Sequence, residues 1–92
     1  MNIQEHIRFF NKVLALTTIY AKHKVDDLAY VELHSIDLFT DTVENKQYLT
    51  VSYSYTRLDN DVIPDFNLIS LDYLDLDLKD AEQEIKKELR IK

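Results

Sequence analysis

The spacing of apolar and polar residues changes period along this chain, and the changes mark its elements. Ile3, Ile7, Phe10, Leu14, Thr17 and Ala21 recur at alternating steps of four and three. A second stripe, Phe9, Val13, Leu16 and Tyr20, runs beside them. Together they form an arc wide enough for a core-facing amphipathic helix over residues 3–23. Asn2, followed three residues later by Glu5, supplies a capping-box start. Lys22, His23 and Lys24 place positive charge at the end where the helix dipole favours it.

After a Val25-Asp26-Asp27 connection the period shortens to two. Leu28, Val31, Ser35 and Leu38 would also suit a helix. Val31 and Leu33, then Ile36 and Leu38, fit a strand whose alternation slips near His34-Ser35, as a β-bulge makes it do. Strand is the assignment, because the next segment needs a neighbour. In Tyr48–Arg57, Leu49, Val51, Tyr53 and Tyr55 share one face and Thr50, Ser52, Ser54 and Thr56 the other. Glu44-Asn45-Lys46 is the intervening turn, with Asn45 the residue to take positive φ. Asp59-Asn60-Asp61 makes the next turn, and Pro64 marks a strand entrance or an edge. Phe66–Tyr73 reads as a third strand with Ile69, Leu71 and Tyr73 inward. A final helix then carries Leu78, Ala81, Ile85 and Leu89 on one stripe, capped by Asp77 or Asp80. The expected fold is a single α+β domain over residues 1–92 in the order α-β-β-β-α. Both helices cover one face of a three-stranded antiparallel meander, and the Ser/Thr face stays open to water or to a partner.

Composition supports a packed domain. Leu, Ile, Val and Phe make up about a third of 92 residues, above the ~20% below which chains tend to be disordered. Glycine is absent. That removes the backbone flexibility on which phosphate-cradling loops and the nucleophile elbow depend. Cysteine is absent as well, which excludes disulfides, thiolate nucleophiles and cysteine-based zinc sites and fits a reducing compartment. Val13–Ala21 is apolar behind Arg8 and Lys12. It lacks the small-residue pair of a signal-peptidase site and reads as mid-helix. A soluble, cytoplasmic protein is expected.

His6, His23 and His34 share no ligand spacing, and Asp59-Asn60-Asp61 with Asp65 lacks the turn glycine and terminal glutamate of a calcium loop. No catalytic residue, metal or cofactor is expected. The sharper signal is charge. The chain carries a net −6, distributed unevenly. Residues 1–24 hold four bases against Glu5 alone; residues 25–80 hold eleven aspartates and two glutamates against Lys46, Arg57 and Lys79. Such a surface repels phosphates and argues against direct nucleic-acid binding.

In size, charge and lack of catalytic motifs, the chain resembles small acidic single-domain proteins of phages and other mobile elements. Anti-restriction and anti-CRISPR inhibitors and toxin-neutralising immunity proteins are examples. That likeness implies a non-enzymatic binding protein that blocks a basic, nucleic-acid-handling target. Asp59, Asp61, Asp72, Asp75 and Asp77 are the expected contacts, with Tyr48, Thr50, Ser52 and Ser54 as a rim. If extended, Asp75 and Asp77 would hold carboxylates ~6.7 Å apart, near the spacing of successive phosphates, as a nucleic-acid mimic requires. The other expectation is a homodimeric structural or chaperone-like module that pairs through the open sheet face or the Phe66–Tyr73 edge.

Overall fold

A computed structural model describes residues 2–90. Helix α1 (Ile3–Lys24) leads into strands β1 (Leu28–Asp41), β2 (Lys46–Arg57) and β3 (Val62–Ser70). A single 3-10 turn over Leu71–Leu74 follows, and helix α2 (Leu78–Arg90) completes the order α-β-β-β-α. The strands form one antiparallel sheet in the order β1-β2-β3, so β1 and β3 are both edges. No described helix is long and apolar enough to cross a membrane.

Local chemistry accounts for most boundaries. The Asn2 side chain accepts the Glu5 N–H and the Glu5 side chain accepts the Asn2 N–H, closing the capping box. The β1–β2 register shifts between Leu33 and Ser35, the bulge expected from the slipped alternation. Asn45 and Asn60 take the two positive-φ positions, at 55° and 73°. Asparagine tolerates that region better than any other residue available to a glycine-free chain. Asp77 caps α2 by accepting the Asp80 N–H, so Asp80 receives the cap rather than providing it.

The third strand lies earlier than its apolar pattern indicates. It starts at Val62, contains Pro64, and ends at Ser70 rather than Tyr73. An edge strand can accommodate a proline that has no N–H to donate. The Ser70 hydroxyl accepts the Asp72 N–H, which turns the chain into the 3-10 segment. Leu71 and Tyr73 therefore reach the core from a turn, not from a strand.

The core lies between the helices and one face of the sheet. Val13, Leu16, Tyr20 and Ala21 of α1 pack with Leu49, Val51, Tyr53 and Tyr55 of β2, Ile69 of β3, and Ala81 and Ile85 of α2. Polar clamps fasten the elements to one another. The Tyr20 hydroxyl donates to Glu88 Oε2 at 2.7 Å, tying α1 to α2. Burial pushes the Tyr20 phenol up, and the Glu88 carboxylate raises it further, so it stays a donor. At the end of α1, the Lys24 ammonium donates to Asp65, to Asn67 Oδ1 and to the Tyr53 hydroxyl. Lys12 donates to the carbonyls of Leu74 and Leu76, which holds the segment before α2 against α1.

The buried part of α1 spans only Val13 to Ala21, about 12 Å of a helix about 33 Å long. The sheet is three strands wide, about 10 Å between its outer strands, and α1 touches both of those strands. Before Lys12, only Phe9 packs against the core. Ile3, Ile7 and Phe10 are 76%, 53% and 46% exposed. The arc expected to face the core throughout does so only in its second half.

Candidate functional site

The strand register assigns every sheet residue to one of two faces. Residues level with Leu49, Val51, Tyr53 and Tyr55 face the helices; those level with Tyr48, Thr50, Ser52, Ser54 and Thr56 face away. The outward set on β1 includes Tyr30, Glu32, Asp37 and Phe39. On β3 it is Val62, Pro64, Phe66, Leu68 and Ser70. From Thr50 to Thr56 the middle strand thus carries small hydroxyl residues, and Tyr30, Phe39, Val62, Phe66 and Leu68 stand on the two outer strands. The two outer strands lie about 10 Å apart, the separation of two strand spacings.

The two walls differ. The β3 wall is apolar, with Val62 62%, Phe66 63% and Leu68 46% exposed. The β1 wall mixes the exposed aromatics Tyr30 and Phe39 with the carboxylates of Glu32 and Asp37. Phe39 leans on Tyr48 across the strands, ring centroids 6.3 Å apart. On the floor, Ser54 and Thr56 are buried and Thr50 and Ser52 half-buried. The Ser54 hydroxyl lies 2.9 Å from His34 Nε2, so the bulge residue is fastened to this face. The surface expected to be a plain Ser/Thr face carries hydroxyls along β2 and larger apolar and acidic side chains on the strands beside it. Tyr48, Thr50, Ser52 and Ser54 form its floor rather than a rim.

The five aspartates do not form one patch. Asp59 and Asp61 occupy the β2–β3 turn, while Asp72, Asp75 and Asp77 follow the far end of β3, about 26 Å of strand away. Several have local work: Asp59 accepts the Asp61 N–H, and Asp77 caps α2. Asp75 is helical (φ −85°, ψ −14°) and ends the 3-10 turn. The extended Asp75–Asp77 pair required for phosphate-like spacing is therefore absent, because Asp75 closes a 3-10 turn that begins at Leu71. Asp72 lines a cleft with Thr40, Asn45, Lys46 and Ser70 at that end of the sheet.

On the helix side, the densest polar cluster is the Lys24 clamp. Asn67 Nδ2 donates to the Tyr53 hydroxyl at 3.0 Å, and that hydroxyl donates to Asp65 at 3.3 Å. Burial pushes the Asp65 carboxyl up, but hydrogen bonds from Lys24 and the Phe66 N–H outweigh it and hold it below the ordinary range. These groups are mutually bonded and join α1 to β3. At the other end of the sheet, Arg57 Nε donates to both Asp27 carboxylate oxygens at 3.0 Å, joining the α1–β1 connection to β2. Among the described residues no cluster of three or more histidine, aspartate or glutamate side chains is arranged to hold a metal ion.

Sequence reasoning missed the walls. Val62, Pro64, Phe66 and Leu68 alternate with Ile63, Asp65, Asn67 and Ile69, a period-two signal that begins before the assigned strand. Glu32 and Asp37 are separated by the bulge, which hides that they share a face. No protein-family model matches the chain, and no curated protein or solved structure matches it.

Proposed function

We propose that this chain is a non-enzymatic binding protein whose outward sheet face engages a basic protein, with nucleic-acid-binding proteins as the class whose surface it fits. One observation carries the reading: an exposed apolar wall on β3 stands across a hydroxyl floor from a carboxylate-bearing wall on β1. Large apolar side chains in water are costly, and a patch of them bordered by polar groups is the common anatomy of a protein-binding surface. Phe66, Leu68 and Phe39 are the anchors, and Glu32 and Asp37 select for positive charge. Asp59, Asp61 and Asp72, at the two ends of the sheet, extend the negative field and speed encounter.

The geometry favours an apolar-and-acidic contact over a phosphate mimic. Glu32 and Asp37 stand level with Ser54 and Thr50, about 13 Å apart along the strand, too far for successive phosphates. A helix about 10–12 Å in diameter laid along β2 would touch side chains of both outer strands, which lie about 10 Å apart. The fitting segment is thus an amphipathic helix with one apolar and one basic side. Face-to-face pairing of two copies would set Glu32 and Asp37 against either their own duplicates or the apolar β3 wall, so these carboxylates favour a different protein as partner.

Affinity capture with the intact protein and two variants tests this reading. The expected result is a basic protein retained by the wild type, weakened by salt, and lost from both Phe66→Asp/Leu68→Asp and Glu32→Lys/Asp37→Lys. A partner retained by both variants but lost from Asp72→Asn/Asp75→Asn would move the contact to the end of the sheet and overturn the face as the site.

A further inference from the structure

We infer that the first half of α1 is a self-association surface whose occupant is the same segment of a second copy, packed antiparallel. Ile3, Ile7, Phe10 and Leu14 follow the alternating four-three spacing of a coiled-coil seam, and Thr17 and Ala21 continue it. Thr17 and Ala21 are fully buried in the chain's own fold, Leu14 is half-buried, and Phe10, Ile7 and Ile3 are increasingly exposed. A single seam therefore begins inside the domain and runs out beyond its cover.

Charge identifies the occupant. At 3.6 residues per turn, the neighbours flanking this seam are Gln4, His6 and Asn11, while Glu5, Arg8 and Lys12 fall on the far side. Most of the other large exposed apolar sites adjoin a carboxylate. Val43 precedes Glu44, Leu58 precedes Asp59, Leu78 follows Asp77, and the sheet face carries Glu32 and Asp37. For a chain of net −6, the seam from Ile3 to Phe10 is a surface on which a second copy meets little like-charge repulsion, with Glu82 of α2 standing at its inner end beside Asn11 and Leu14. Side-chain amides are donors and acceptors at once, so Gln4 and Asn11 suit a contact made with an identical surface. An antiparallel arrangement also sends the two acidic sheets to opposite ends.

In that arrangement Ile7 layers against Phe10 of the second copy and Ile3 against Leu14, giving four apolar layers over 12 residues. The contact is smaller than the ~800 Å² per partner of standard stable interfaces, which places it in the weak class. Sedimentation at up to about 1 mM protein, where such interfaces are populated, is expected to show a dimer. Ile7→Asp should weaken it at least about 30-fold, while Leu68→Asp, on the sheet face, leaves it intact. The cysteine-free background permits a direct check of register. Oxidising Ile7→Cys mixed with Phe10→Cys should yield the mixed disulfide in preference to either self-linked product. A wild-type monomer throughout, a dimer unaffected by Ile7→Asp, or preferential Ile7→Cys self-linking would each overturn the inference. None of these outcomes depends on the sheet-face partner.

Discussion

The outward sheet face and the first half of α1 both leave large apolar side chains in water, and their borders differ. Phe66 and Leu68 share their face with Glu32 and Asp37, whereas Ile3, Ile7 and Phe10 are flanked by Gln4, His6 and Asn11. Apolar exposure makes each surface able to bind, but it does not choose a partner. The border chooses, because like charges facing one another across a contact cost free energy and opposite charges favour it. The same acidic chain can therefore carry one surface suited to a basic protein and another suited to itself.

The largest expected effect is at the sheet face. Phe66→Asp/Leu68→Asp should weaken partner binding by about 100-fold or more, as loss of central anchors does. Both side chains are exposed, so thermal stability should change by less than about 0.5 kcal/mol. Calorimetric titration and thermal melts measure the two separately. Next comes the charged wall. Glu32→Lys/Asp37→Lys should cost at least about 10-fold, mostly in association rate, and flatten the dependence on ionic strength. Stopped-flow rates at two salt concentrations check this.

The comparison can also be broken from the other side. Gln4→Glu/Asn11→Glu gives the α1 seam the border of the sheet face. It should weaken self-association by several-fold to about 10-fold, with added salt restoring much of the loss; sedimentation reads the change. Asn2→Ala removes the cap that holds the uncovered turns helical, at a cost of about 1 kcal/mol. Amide exchange should accelerate over residues 3–10 and remain unchanged in β2.

The smallest effect concerns the clamp that positions α1 on the sheet. The Asp65 carboxyl is held below its ordinary value in the folded protein. Its contribution is therefore present above the unfolded value of about 3.9 and is lost as pH falls through the lowered folded value. Burial opposes the Arg57 bond at Asp27, but the bond prevails and that carboxyl is lowered too, so it acts in the same direction. Asp65→Asn should reduce stability by no more than about 1 kcal/mol near neutral pH, since both partners are partly exposed. It should also flatten the acid limb of a stability–pH curve measured by urea unfolding.

Much of the fold was legible where the signal was local. The capping box, the Asn45 turn and the slip at His34-Ser35 each depend on a few neighbouring residues, and each appears in the structure as the sequence implies. The third strand was misplaced because its apolar run continues into Leu71–Leu74, and the pattern alone cannot reveal the Ser70 cap that ends the strand. The aspartates were the most conspicuous residues and a poor guide to one another's position. Proximity in sequence between Asp61 and Asp72 becomes distance along an extended strand.

By itself the sequence determined the order and type of the elements, the charge imbalance and the identity of the core face of β2. These follow from periodicity and from side-chain chemistry carried by each segment. Only the tertiary structure decided which apolar residues remain in water. Ile7 and Ala21 belong to the same helical stripe, yet one is half exposed and the other buried. The difference arises because a three-stranded sheet covers only part of a 22-residue helix. Phe66 and Ile69 likewise share a strand but face opposite sides of it. Cover is a property of neighbouring elements and their extent, and no pattern within a single segment contains it.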